Sequence, residues 1–360
     1  MWNPNGHAPG HDTLSAAHAY GDVVRLLAVA ATPMLWSSGL ALARLLGAEP
    51  SSRWTAYGNT LVHTGAPVGA GIWLLALIAT RTCGHRAPAR LGRLVLAAAV
   101  AAADVTQSVT SVNGGAVTPL RLASAVLLAW LAGELLTARG IGPGRVGLTR
   151  RPEGGSAGDT WLAYLAALAV TGAVTAFLRT HGPGPVPRQG QEAALGYDGT
   201  TDLLFSIPWG VVAEELVVTA CVITLLRAAG RPVWEWAVIP VVVRVAGHLY
   251  LGTPALAQLI LATVAVCLFA RHRRIVPLLA AHALYNTAAL IGLWSIGAGL
   301  LIGCTIALRE AIVRVGTKAP GKSEKSGHHP ARSTAVPRPR LDQATGTSTP
   351  SASSEDGTRP

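Results

Sequence analysis

About ten apolar stretches, each close to the roughly twenty residues a helix needs to cross a bilayer, follow one another through this chain and leave it few alternatives. They fall near 23–46, 57–80, 91–112, 116–138, 157–178, 199–226, 234–251, 254–270, 275–293 and 295–313. Inside hydrocarbon every backbone N–H and C=O must be satisfied within its own segment, so each stretch is expected to be a helix. The fold class that follows is all-α, a polytopic transmembrane helical bundle of about ten spans.

The arginines test that count, because positive charge collects on one side of a membrane. Arg81, Arg86, Arg90 and Arg93 follow the second stretch, and Arg139, Arg145, Arg150 and Arg151 the fourth. Arg227 and Arg231 follow the sixth, Arg271, Arg273 and Arg274 the eighth, and Arg309, Arg314 and Lys318 the last. The opposite loops carry fewer: Arg44 and Arg53, then Arg121, then Arg179 and Arg188. This alternation predicts a multi-pass protein of the cell membrane with both termini cytoplasmic.

Composition agrees. Charged residues make up 13% of the 360 and mean hydropathy is +0.41, whereas soluble domains carry about 25% charged residues. The net charge of +11 sits on arginines between apolar runs rather than on a face interleaved with aromatics, which argues against nucleic acid as a partner and for a lipid bilayer. The four cysteines form no C-x-x-C pair, so neither a disulfide framework nor a cysteine zinc site is expected. Residues 1–22 read as a polar N-terminal arm, 23–198 as accessory spans, 199–293 as the core that carries the chemistry, and 294–315 as the last span. Residues 316–360, rich in Ser, Thr, Pro, Gly and Lys, read as a disordered cytoplasmic tail.

Polar side chains stand inside three of the apolar stretches. Glu214 and Glu215 lie about halfway along the sixth, Arg244 and His248 share a face of the seventh, and His282 and Asn286 share a face of the ninth. A charge at the centre of a spanning helix costs about 2.5–3.5 kcal/mol on insertion scales and marks a functional site by default. Neighbours on a helix point about 100° apart, so one glutamate is expected to enter a cavity while the other bonds a neighbouring helix. The structural readings are an ion pair of the glutamates with Arg244, polar contact between helices for His282 and Asn286, and an interfacial histidine at His248. Counting from the loops puts His248 and His282 on the order of 10 Å apart in depth, an offset that Pro240, tilt or shifted boundaries would have to absorb. Asp104 and Gln107 form a further polar island in the third stretch. No H-E-x-x-H is present, which argues against a zincin-type centre.

Taken in order, the three motifs resemble the CPBP family of Abi or CAAX-protease-like intramembrane proteases, whose pattern is E-E-x-x-x-R, F-x-x-x-H and H-x-x-x-N/D. Here they stand as Glu214-Glu215-x-x-x-Thr219, Arg244-x-x-x-His248 and His282-x-x-x-Asn286, within about a quarter of the chain. The resemblance implies a peptidase that cuts a membrane-associated peptide or protein substrate. Glu214, or else Glu215, would then be the general base with His248 assisting, and His282 and Asn286 would bind the oxyanion. It also admits a divalent metal such as zinc held by Glu214, His248 and His282, with metal-free catalysis preferred. Thr219 replaces the family's Arg and Arg244 its Phe, so either Arg244 serves as the glutamates' charge partner or the site is silent. The competing functions are an ion- or proton-coupled transporter and a non-catalytic scaffold or immunity-type protein.

Overall fold

The computed structural model describes residues 14–80, 87–112, 119–148, 157–187 and 199–290. Every regular element among them is helical. The tail expected over 316–360, the last span over 294–315 and the first thirteen residues of the expected N-terminal arm lie outside the described residues.

Helix α1 (Ala16–Ala30) starts inside that arm, with the Ser15 hydroxyl accepting from the His18 amide as its N-cap. It is followed after one residue by α2 (Thr32–Leu45), bent 56° from it. Pro33, in the first turn of α2, has no N–H to continue the α1 ladder, and its ring clashes with the carbonyl four residues back. The first predicted span is therefore a broken pair. Helices α3 (Ser52–Thr80), α4 (Ala87–Val112), α5 (Leu122–Ala138) and α6 (Ala157–His181) follow the next four predictions.

Helix α7 (Thr200–Ala228) is the axis of the bundle: 83% of its most apolar window is buried, against 22% for α3 and for α4. Helices α3, α4 and α5 lie on one flank, and α6, α8 (Val233–Gly247), α9 (Gln258–His272) and α10 (Val276–Leu290) on the other. Such burial explains why α7 is apolar all round and can keep carboxylates away from lipid. Gly230, at φ +67, ends it with the Arg231 amide bonded back to the Leu226 carbonyl.

Six described helices are long and apolar enough to cross a membrane, or seven if the bent pair counts as one span. This makes a multi-pass membrane protein; the ten spans expected are not confirmed among the described residues, outside which the last of them lies. The seventh and ninth stretches appear as α8 and α10, of fifteen described residues each, or about 22 Å at 1.5 Å per residue, short of a ~30 Å hydrocarbon core. Helix α8 stops at His248 and continues as two 3-10 turns, Leu249–Leu251 and Thr253–Ala257, hinged on Gly252 at φ +68. The hinge falls at the junction expected between the seventh and eighth stretches, whereas the earlier end of α8 at His248 is not marked in the apolar sequence.

The arginine alternation reappears as contacts at one end of the bundle. Arg139 grips Asp22 of α1 through two bonds of 2.6 and 3.0 Å. Arg231 binds Glu235 through another pair at 2.8 and 2.6 Å and the Tyr20 hydroxyl at 3.0 Å. Arg227 donates to the Ala270 carbonyl at 3.3 Å. At the opposite end Thr253 bonds the Pro183 and Pro185 carbonyls, tying the turns after His248 to the segment that follows α6.

Candidate active site

The middle of α7, Val212–Cys221, is wound as a π-helix. Its i→i+5 bonding widens the turn and brings successive side chains closer in direction than the α-helical 100°. Both glutamates consequently reach one guanidinium, contrary to the expectation that they diverge: Arg244 Nη2 stands 2.6 Å from Glu215 Oε1 and 3.0 Å from Glu214 Oε2. Thr219 supports the winding, its hydroxyl donating at 2.9 Å to the Glu214 carbonyl five residues back. The threonine at the family's arginine position thus serves the backbone, and Arg244 from α8 supplies the charge.

Glu215 is fully buried, and its Oε1 takes three donors. Arg244 Nη2 and His282 Nδ1 approach at 2.6 and 2.8 Å, and the Tyr164 hydroxyl of α6 also donates to it. Tyr164 in turn accepts from Arg244 Nη2 at 3.1 Å and stands edge-on to the His282 ring at 6.4 Å. An ionised carboxylate accepts only, so His282 carries its proton on Nδ1. Four helices, α6, α7, α8 and α10, meet on this one oxygen.

Glu214 is held differently. Its side chain is 9% exposed, its Oε2 faces Arg244, and its Oε1 lies 3.9 Å from His248 Nε2. The His248 ring is set by its other nitrogen, which donates at 2.8 Å to the Arg244 carbonyl. That carbonyl fixes the tautomer with the lone pair of the neutral ring on Nε2, toward Glu214. The exposed fraction falls from 14% at His248 through 9% at Glu214 to 0% at Glu215, so Glu215 is the innermost of the three.

The two histidines differ in which groups of α7 and α8 stand beside them. Arg244 Nη2 is the α8 group that stands level with His282, 3.3 Å from its Nδ1, while His248 lies one turn further along. Each histidine therefore takes its own glutamate, His282 with Glu215 and His248 with Glu214. Asn286, one turn beyond His282, is half-buried and stands outside the Glu215 cluster. Asp104 belongs elsewhere: it accepts from Ser124 of α5 and lines a small cavity of about 30 Å³ with His63, Ser108 and Arg121. Tyr164 is the residue sequence reasoning missed. Its only signal was a tyrosine well inside an apolar span, where a buried hydroxyl needs a partner.

Among the described residues, Glu214, Glu215 and His282 have ligand atoms within 4.8 Å of one another, and His248 is not in that set. These three residues are a donor set that could hold a divalent ion. The Arg244 guanidinium already stands 2.6 to 3.3 Å from atoms of all three residues, and His282 Nδ1 presents a proton rather than a lone pair. A divalent ion would have to displace a 1% exposed arginine against like-charge repulsion.

The family described as Type II CAAX prenyl endopeptidase, Rce1-like, matches residues 198–288, about a quarter of the chain. That interval contains all three motifs, and it bears out the resemblance read from them. No curated protein and no solved structure gave a significant match.

Proposed function

We propose, starting from the match of residues 198–288 to the Rce1-like endopeptidases, that the chain is an intramembrane endopeptidase. It hydrolyses one peptide bond of a membrane-associated substrate with a water activated by Glu214. The observation that carries the reading is the 3.9 Å separation of Glu214 Oε1 and His248 Nε2, too long for a hydrogen bond and right for one water shared between them. His248 is fixed by the Arg244 carbonyl, and Glu214 faces the guanidinium of the same residue as an ion pair at 3.0 Å. This is the orientation an activated nucleophile requires.

The water loses a proton to Glu214 as its oxygen attacks the carbonyl carbon. The tetrahedral intermediate then expels the amine, which takes up that proton as the C–N bond breaks. Glu215 stays ionised throughout and organises Arg244, Tyr164 and His282 around the base. The arginine-rich end of the bundle faces the cytoplasm, and His248 and the turns beyond it face the other side.

Comparative membrane proteomics of cells carrying the wild type or Glu214→Gln tests this. A peptide end present only with the wild type is expected. If every end survives the substitution, the reading fails. Glutamate-dependent flux in proteoliposomes without cleavage would then indicate a transporter, and an unchanged phenotype a scaffold.

A further inference from the structure

We infer that Arg244 is the positioning residue of the site, coupling the glutamate pair of α7 to the histidine of α8 through its side chain and its backbone at once. The inference rests on the peptidase reading above. The guanidinium fixes both carboxylates, at 2.6 and 3.0 Å from a single nitrogen, and the carbonyl of the same residue fixes the His248 ring at 2.8 Å. No other described residue contacts Glu214, Glu215, His248 and His282 together. The side chain is 1% exposed, and Gly247, next to His248, lies against the end of the Met34 side chain of α2. The Ser38 hydroxyl of α2 also bonds the Gly247 carbonyl. The end of α8 is therefore held by α2 through the Ser38 hydroxyl and by the glutamates through the Arg244 guanidinium.

The two functions of Arg244 separate on substitution. Any residue at 244 retains the carbonyl that holds His248, whereas the charge facing the carboxylates sits on the side chain, whose Nη2 alone reaches both. Position 219 lies on the glutamates' own helix and its side chain already reaches the Glu214 backbone. An arginine introduced there can take over the charge while residue 244 keeps its backbone role.

The test compares membranes carrying the wild type, Glu214→Gln, Arg244→Lys, Arg244→Phe and the double variant Thr219→Arg/Arg244→Phe. The rate of appearance of the Glu214-dependent peptide end is measured per amount of monodisperse protein in detergent. A base displaced by about 1 Å loses on the order of 10²-fold in rate; that loss is expected for Arg244→Phe, with recovery to within about tenfold in the double variant. Arg244→Lys keeps the charge on a shorter side chain that does not reach as far as Nη2, and is expected to fold normally and cleave at least about tenfold more slowly. It decides the matter if Arg244→Phe does not fold. Wild-type rates in Arg244→Lys, or a double variant that folds but stays silent, overturn the inference. A Glu214→Gln arm that loses no peptide end overturns the peptidase reading itself and, with it, the inference.

Discussion

Glu214 and Glu215 are neighbours in sequence, yet the structure predicts opposite consequences for removing their charges. Glu215 is fully buried and accepts from Arg244, His282 and Tyr164 at one oxygen. Breaking a buried ion pair from one side costs about 3–5 kcal/mol. In Glu215→Gln the neutral amide oxygen still accepts, and Glu214 still faces the guanidinium, so the lower end, about 3 kcal/mol, is expected. Glu214 touches Arg244 at 3.0 Å without hydrogen-bond geometry, and its Oε2 has no hydrogen-bond partner among the described residues. Its replacement by Gln leaves the shorter Glu215 pair intact and removes no hydrogen bond to Arg244, so it should cost less, about 1 kcal/mol. At roughly 2 °C per kcal/mol for a chain of this size, the melting temperature should fall by about 6 °C for Glu215→Gln and by about 2 °C or less for Glu214→Gln. Tryptophan fluorescence during heating in detergent reads the difference, since the chain has 10 tryptophans. Cleavage should vanish in Glu214→Gln at nearly unchanged stability. Equal or inverted losses of stability would refute the division into an anchoring and a reacting carboxylate.

Tyr164→Phe removes a hydroxyl that donates to Glu215 and accepts from Arg244, and should cost about 1.5–3 kcal/mol in the same assay. Gly252→Ala places a Cβ at φ +68 against the Pro185 carbonyl, and should destabilise by about 2 kcal/mol or more while loosening the turn after His248. Chelator treatment should leave cleavage intact, and purified protein should hold well under one equivalent of zinc by elemental analysis. Stoichiometric metal together with chelator-sensitive cleavage would show that the guanidinium does not occupy the cation position.

The CPBP likeness and the candidate residues were legible in the sequence because chemistry in an apolar segment is conspicuous: a carboxylate or imidazole among Val, Ala and Leu has no inexpensive reason to be there. Arginine spacing was equally legible, since charge sidedness is a property of loops taken one at a time. Helix continuity was not. Pro33 breaks the first span and His248 ends α8, while Pro67 and Pro208 remain inside helices. Whether a proline or a glycine interrupts depends on what packs against the freed carbonyls. Tyr164 was invisible for the same reason, since its importance comes from a helix distant in sequence.

The sequence by itself determined that this chain is a membrane bundle with carboxylates, an arginine and two histidines inside three of its apolar segments. Composition and period follow from the cost of moving polar groups into lipid, and that cost is local. The tertiary structure alone decided which glutamate anchors and which is left to react, that each histidine takes a different one, and that an arginine from α8 stands where a cation is needed. Those assignments depend on a π-helical widening at Val212–Cys221 and on four helices converging on one oxygen. They are properties of distances between segments, and no single segment encodes them.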